Sequence, residues 1–575
     1  MPLTPFARAS GVGCFGLLLL LVSPLAAQSA QIQVDSAVAI EMRDGVSLQA
    51  TVYRPAAPGR YPTLVYRTPY NRQRPPGITE AAVHRGYAVV VQDVRGRYGS
   101  AGTFNPYVHD GKDGYDTIEW AARQPWSNGS VGTFGLSYPG AVQWLAAKEH
   151  PAALKAMVPA MTYSTPETFW YSGGVWDGSW LDWVWYNIAP DLRVKAKAAG
   201  PKTSREAREI ADSAMTRLRG LPLASLPDFK EIAPWYYDWM RHPPGDPWWS
   251  WATLKGAYAG VPSAVLNISG WYDEPYGPMG AIENYEGLVA SGGRNRAALI
   301  LGAWTHGGQQ ETAAGDRDFG PNATISDEET ILGWMDHYIK GALTLLLPPV
   351  RVYVMGVGQW RHWQSWPPAG SRPDTLLLSG TGLGKQVKGA AFSRFHSDPA
   401  VPLADPYGGA AGSHDYRRLS GRKDLLLFDS EPLSQPVEIA GPINVELTVS
   451  ATVPDFDIWV QLFDVAPDGS AWNLAGFGGG IQRVSYRNGG PQRELVRPGQ
   501  KVTVRLDRLV TANHFLPGHR IRLMVASAFV PLFSRNLQTG ALEFDSARTA
   551  AGDITVHHAP GAVSRLILPT VPVPQ

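Results

Sequence analysis

Ser137 sits in Gly135-Leu136-Ser137-Tyr138-Pro139-Gly140, between the apolar run 131–134 and a helix-forming stretch, 141–149. A serine between glycines at a strand-to-helix turn is the nucleophile-elbow pattern, in which a tight reversal lifts the hydroxyl clear of the sheet. Glycine suits the flanks because a Cβ would collide with the turning backbone. Pro139 stands where the common G-x-S-x-G form has its second glycine. By itself the motif reads equally well as an ordinary βα turn. Two residues downstream decide between the readings. Asp273 follows the apolar run 264–268 in Gly270-Trp271-Tyr272-Asp273, and His306 follows the run 297–301 in Gly302-Ala303-Trp304-Thr305-His306-Gly307.

The order Ser…Asp…His, each residue just past an expected strand, is that of an α/β-hydrolase, where strand C-termini converge on one edge. Ser137 would attack a carbonyl carbon, His306 would take and return the proton, and Asp273 would fix the imidazole tautomer and stabilise its cation. Alone, His306 could be a structural loop histidine. Asp273 could be a turn residue, with adjacent Glu274 as an alternative acid. The agreement of position, order and strand ends favours a triad. Acyl transfer also needs donors for the oxyanion. The amide of Tyr138 follows the nucleophile directly and is one by construction. Tyr70, just past the expected strand 63–67, could supply a second from its phenol, and reads equally well as a packing tyrosine.

These residues need a sheet to carry them. Stretches 34–42 and 46–53 alternate around Asp44-Gly45, a hairpin signal. The run 87–92 is almost continuously apolar, as a strand covered on both faces requires. Helical spacing over 114–123 and a further buried strand at 153–159 continue a strand–helix alternation that predicts an open α/β sheet. From 161 to 255 the pattern changes, and ten of the 21 tryptophans fall there beside helix-like segments such as 204–219. That is expected of a helical cap inserted over the strand ends, with most tryptophans packing it and a minority lining a pocket. Ser326-Asp327-Glu328-Glu329 is a capping box opening a last helix. Beyond 347, short β-rich runs, 350–355 the first, alternate with Gly, Pro and Asn turns and predict an all-β sandwich.

With 575 residues, two or three domains are expected. A net charge of +1 suggests no nucleic-acid or other polyanionic partner. Arg8, the apolar run 15–22 and Pro24-Leu25-Ala26-Ala27 read as a secretory signal peptide within residues 1–30. The run is shorter than the ~20 residues of a membrane anchor. An exported protein, periplasmic or extracellular and with no membrane attachment after cleavage, is therefore expected. Cys14 is the one cysteine, so the mature chain would hold no disulfide, thiolate zinc site or cysteine nucleophile. No H-E-x-x-H and no phosphate loop is present, and no metal or cofactor is expected.

Arg67-Thr68-Pro69-Tyr70-Asn71, Gln92-Asp93-Val94-Arg95-Gly96-Arg97-Tyr98-Gly99-Ser100, Gln124-Pro125-Trp126-Ser127-Asn128-Gly129 and the elbow together resemble the cocaine esterase / X-Pro dipeptidyl-peptidase (S15) hydrolases. Val354-Met355-Gly356, Trp360, Asp398-Pro399 and Pro517-Gly518-His519-Arg520-Ile521-Arg522 extend the resemblance through the C-terminal half. It implies an α/β-hydrolase domain (31–160 and 256–347), a helical cap (161–255) and a C-terminal jelly roll (348–575). It also implies Ser137, Asp273 and His306 as triad, with the Tyr70 hydroxyl and Tyr138 amide as oxyanion hole. Asp93, Arg95 and Arg97 look like family structure rather than catalysis. In the related α-amino-acid ester hydrolases, acidic residues two and three positions past the triad aspartate help hold a substrate ammonium. Here Pro275 and Tyr276 stand there, which disfavours a required free α-amine. The extra N-terminal helical domain of the X-Pro dipeptidyl-peptidases is not expected either.

The reading is a secreted serine hydrolase cleaving small-molecule carboxylic esters through an acyl-enzyme. The Trp- and Tyr-rich cap suggests a bulky apolar or aromatic acyl or alcohol group. An amidase or acylase, including a β-lactam side-chain or glutaryl type, shares the machinery. An X-Pro dipeptidyl-peptidase-like activity is a further alternative, and a non-catalytic binding protein with a vestigial site a remote one. A homo-oligomer is left open.

Overall fold

A computed structural model describes residues 31–166, 169–211, 219–225, 228–273, 277–343, 347–380 and 382–573. The expected signal peptide lies outside them. Among the described residues no helix is long and apolar enough to cross a membrane.

The first sheet has ten strands. They are β1 (Ile32–Glu41), β2 (Ser47–Pro55), β3 (Tyr61–Thr68), β4 (Ala88–Asp93), β5 (Ser127–Leu136), β6 (Leu154–Ala160), β7 (Ala264–Tyr272), β8 (Ala297–Thr305), β9 (Val350–Val354) and β10 (Gln359–Trp363). Their spatial order is β1-β2-β4-β3-β5-β6-β7-β8-β9-β10. The hairpin β1–β2 pairs antiparallel about Asp44-Gly45, with Glu41 opposite Ser47. From β4 to β9 neighbouring strands run parallel. Strands β4 and β7 are buried along their whole length, which accounts for the apolar runs 88–91 and 264–266. Helices α1 (Thr79–His84), α2 (Asp110–Ala122) and α3 (Tyr138–Lys148) fill the crossovers. Together these make the α/β-hydrolase core, which sends the C-terminal ends of β3, β5, β7 and β8 to one edge.

The insert after β6 holds α4 (Ser179–Trp183), α5 (Ala189–Ala196), α6 (Ser204–Glu209) and α7 (Trp235–Arg241). It also holds a two-stranded pair, Tyr171–Ser172 with Val175–Trp176, which helical spacing did not anticipate. The helix expected over 204–219 closes after Glu209, and residues 212–218 lie outside the described set. Most of the tryptophans here do pack the insert: Trp170, Trp180, Trp239 and Trp249 are fully buried, with Trp170 and Trp249 centroids 4.7 Å apart. Returning to the core, α8 (Met279–Leu288) follows β7, and α9 (Gly333–Lys340) follows a π-helical turn at Glu328–Leu332. The Ser326 hydroxyl caps that turn by accepting from the Glu329 amide at 3.2 Å.

The boundary drawn at 347/348 is corrected by the sheet. Residues 350–354, read as the first sandwich strand, form β9 and pair in parallel with β8, and β10 completes a hairpin on that edge. Proline cannot donate, yet its carbonyl can accept, and the Leu299 amide donates to Pro349 O at 2.9 Å. Pro348 and Pro349 lead directly into the strand.

The remaining chain is a separate β-rich domain built on a 12-stranded sheet. Its longest strands are β11 (Val437–Ala451) and β12 (Val502–Phe515), which pair antiparallel. The domain is fastened to the strand that precedes Asp273. The Gly476 amide donates to Trp271 O at 2.8 Å, and the Tyr272 hydroxyl donates to Asn473 O at 2.9 Å. It also touches the cap, where the Gly178 amide donates to Leu532 O at 2.8 Å.

Candidate active site

Strand β5 delivers Ser137 at φ 66°, ψ −123°, a conformation an L residue holds only when its surroundings impose it. Three contacts do so. The Ser137 amide donates to Ala160 O at the end of β6 at 3.0 Å, and the amides of Gly140 and Ala141 donate back to Ser137 O at 2.9 Å each. A Cβ on Gly135 would lie 2.5 Å from the Pro139 Cβ, and one on Gly140 would lie 2.7 Å from Ala160 O. Both glycines are thus required by close approach. Tyr138 opens α3, so its amide belongs to the first turn and has no intrahelical acceptor.

The Tyr138 side chain turns into the core. Its hydroxyl donates to Asp110 Oδ2 at 2.6 Å, and Asp110 Oδ1 accepts from Arg67 Nη2 at 3.0 Å. Arg67 Nε also donates to Gln92 Oε1 at 2.8 Å. Burial pushes the Asp110 carboxyl up, and Arg67 and the Tyr138 hydroxyl pull it back. The Arg67 and Gln92 motifs thus anchor Tyr138, the residue directly after Ser137.

Asp273 is fully buried at the end of β7. Its Oδ1 lies 2.6 Å from His306 Nδ1, and its Oδ2 accepts from the Ser269 hydroxyl at 2.8 Å. Both carboxylate oxygens are engaged, so the acid is held in one orientation. His306, at the end of β8, keeps 31% of its side chain exposed. Its neighbour Gly307 donates its amide to Met161 Sδ at 3.1 Å, and Met161 directly follows Ala160, the acceptor of the Ser137 amide. The histidine loop and the elbow therefore meet over two adjacent residues, Ala160 and Met161. Glu274, Pro275 and Tyr276 lie outside the described residues.

Tyr70 lies two residues past β3, with its hydroxyl in hydrogen bonds to Ser137 and to the indole of Trp183. The Trp183 Nε1–H donates to it at 2.9 Å. Burial pushes the phenol up, and the bonds to Trp183 and Ser137 only partly offset this. It therefore stays protonated, a donor, at neutral pH. The Trp183 ring also stacks on Tyr138, with centroids 6.1 Å apart and planes 12° apart. Trp183, Asp110 and Ser269 are the site residues that sequence reasoning missed. The tryptophan cluster was the available signal for the first, and nothing marked out the other two.

Arg97, fully buried, ties the cap to this loop. Its Nε donates to Pro69 O at 3.0 Å, Nη1 to Ile188 O at 2.8 Å and Nη2 to Asn187 O at 3.0 Å. Asp93 holds Arg72 at 2.8 Å, and Arg95 holds Asp113 at 2.6 Å. These three motif residues brace the loops around the site. Among the described residues no group of three or more His, Cys, Asp or Glu side chains could hold a metal ion.

An α/β-hydrolase core whose elbow serine shares one edge with a His–Asp pair and a phenol donor defines the class: a serine hydrolase. The sequence signature of the X-Pro dipeptidyl-peptidase (S15) family matches residues 44–308, and that of the X-Pro dipeptidyl-peptidase C-terminal non-catalytic domain matches 345–567. Cocaine esterase of Rhodococcus sp. (strain MB1 Bresler) is 32% identical over 581 residues, covering 94% of this chain and 98% of that protein. The chain belongs to the S15 family. Among solved structures, an α-amino acid ester hydrolase superposes with a TM-score of 0.81 at 25% identity, covering 97% of this chain and all of the other (100%). A CocE/NonD family hydrolase from Staphylococcus aureus shares the fold, with a TM-score of 0.69 at 18% identity over 94% of each chain.

Proposed function

We propose that the protein hydrolyses carboxylic esters through an acyl-enzyme on Ser137. The observation that carries the reading is the 2.6 Å contact between His306 Nδ1 and the fully buried Asp273 carboxylate. It puts the ring proton on Nδ1 and leaves the Nε2 lone pair to take the Ser137 proton. The Ser137 oxygen then bonds to the ester carbonyl carbon, and the carbonyl oxygen becomes an oxyanion. Tyr70, already hydrogen-bonded to Ser137, and the Tyr138 amide are placed to donate to it. Collapse breaks the ester C–O bond, and His306 returns its proton to the leaving alkoxide. Water, deprotonated by the same imidazole, attacks the acyl-enzyme and releases the acid and Ser137.

The names of the relatives support an ester over an amide, since cocaine esterase and the α-amino acid ester hydrolase both act on esters. Trp183, partly exposed beside Tyr70, supports an apolar or aromatic group on the substrate. We further propose that the chain is exported, on the strength of Arg8, the apolar run 15–22 and Pro24-Leu25-Ala26-Ala27. Intact mass of the protein secreted by its host, short of the leader, tests that point.

Matched p-nitrophenyl esters and p-nitroanilides of acetyl, butyryl, benzoyl and glutaryl groups test the reaction. Ester turnover abolished by Ser137→Ala, with anilides left intact by the wild type, supports the reading. Comparable anilide turnover would make the protein an acylase.

A further inference from the structure

Behind α4, on the side of the helix where Leu181 rather than Trp183 lies, the cap and the β-rich domain line a half-open cavity of about 240 Å³. Trp176, Leu181 and Tyr236 form its cap wall, and Val530 and Phe533 the opposite one. The seam is built by backbone pairing: Asp177 bridges Phe533, the Gly178 amide donates to Leu532 O, and the Ser534 amide donates to Trp176 O at 2.9 Å. Two arginines, Arg219 and Arg535, join Ser534 as the polar residues of this mostly apolar lining. Their states differ. Arg219 is matched by Asp182 at 2.8 Å. Arg535 donates from Nη1 to Pro399 O at 3.1 Å, and among the described residues no carboxylate pairs with it. The nearby Glu543 accepts from the Ser534 hydroxyl at 2.6 Å and is already neutralised by Arg483 at 2.9 Å.

A half-buried cation left without a counter-ion beside apolar walls is costly, because the low local dielectric magnifies its unmet field. An anion whose body is apolar resolves both features at once. We infer that this cavity binds a small monocarboxylate with an apolar body, its carboxylate on Arg535 and its hydrocarbon against Trp176, Tyr236 and Phe533. The volume lies below the roughly 300–1,000 Å³ of drug-sized sites, so the ligand is a single ring or a chain of about eight carbons. The site is distinct from the triad. It shares α4 with it, since the helix that presents Leu181 to the cavity presents Trp183 to Tyr70.

The test is calorimetric titration of sodium octanoate into the full-length Ser137→Ala protein, alone and combined with Arg535→Gln, Arg535→Lys or Leu223→Trp. Reading heat rather than turnover makes the result independent of the catalytic proposal. The expected result is one saturable site, weakened about tenfold or more by Arg535→Gln and largely restored by Arg535→Lys, because a charge-assisted hydrogen bond is lost and regained. Octan-1-ol, with the same body and no charge, binds at least about tenfold more weakly. Leu223→Trp keeps both guanidinium groups, fills the cavity and removes the site. Equal affinity in Arg535→Gln or Leu223→Trp, octanol binding as tight as octanoate, or no saturable heat would each overturn the inference.

Discussion

The indole N–H of Trp183 donates to the Tyr70 hydroxyl at 2.9 Å, joining the cap to the loop beside the nucleophile across 113 residues of sequence. In the proposed mechanism the bond leaves the phenol proton free to serve Ser137 and, in the transition state, an oxyanion. Trp183→Phe keeps the stacking on Tyr138 and deletes only this donor. Steady-state kinetics should show kcat down about tenfold with KM changed less than about twofold. Tyr70→Phe, which deletes the proposed oxyanion donor itself, should cost about 10²–10³ in kcat.

Asp273 is held from both sides, by His306 and by Ser269. Asp273→Asn keeps the shape but offers the imidazole an amide whose donor group can force the wrong tautomer, and kcat should fall about 10⁴-fold. Ser269→Ala removes only the lock on Oδ2, with an expected loss of about three- to tenfold. Equal losses in the two variants would contradict these assignments.

Gly135 and Gly129 both have positive φ, at 146° and 89°. A Cβ on Gly129 meets nothing within 4 Å, whereas one on Gly135 meets Pro139 at 2.5 Å. Gly129→Ala should therefore cost about 1 kcal/mol in denaturant unfolding. Gly135→Ala should cost about 2–4 kcal/mol, and displacing Pro139 moves the elbow, so activity falls with it.

Arg97 satisfies three backbone carbonyls that belong to two different layers. Arg97→Met fills much of the space and leaves those acceptors unmet. Thermal unfolding should show a loss of about 2–4 kcal/mol.

Asp177, buried at the seam between cap and β-rich domain, has its carboxyl pushed up to about 7 by burial, against the opposing pull of its bonds to Ser179. Its folded pKa lies above its ordinary value of 3.8. Between these values the native state binds more protons than the unfolded one, so this group lowers stability as pH rises from about 4 to about 7. Asp177→Asn removes that dependence. The variant should gain on the wild type, by at least about 1 kcal/mol, between pH 5 and pH 8 in paired denaturant melts. A difference that stays flat across that range would contradict the assignment.

The core and the placement of Ser137, Asp273 and His306 were legible because each follows a buried strand whose local pattern shows in the chain, and the α/β alternation carries all three to one edge. What could not be read depends on distant partners. Residues 350–354 have the same alternating pattern as a sandwich strand, and only their pairing with β8 assigns them to the first sheet. Trp183 is one of ten tryptophans in its stretch, distinguished only by where α4 aims it. Asp110 resembles any acidic residue in a helix first turn until the Tyr138 hydroxyl and Arg67 arrive from elsewhere in the fold.

The central claim is a covalent acyl-enzyme on Ser137. Rapid acid quench of the enzyme with p-nitrophenyl benzoate, followed by intact mass and peptide mapping, tests it most directly. The account predicts one benzoyl group per chain, on the peptide carrying Gly135-Leu136-Ser137-Tyr138, and none in Ser137→Ala. A benzoyl group on another residue, or undiminished ester turnover in Ser137→Ala, would contradict it.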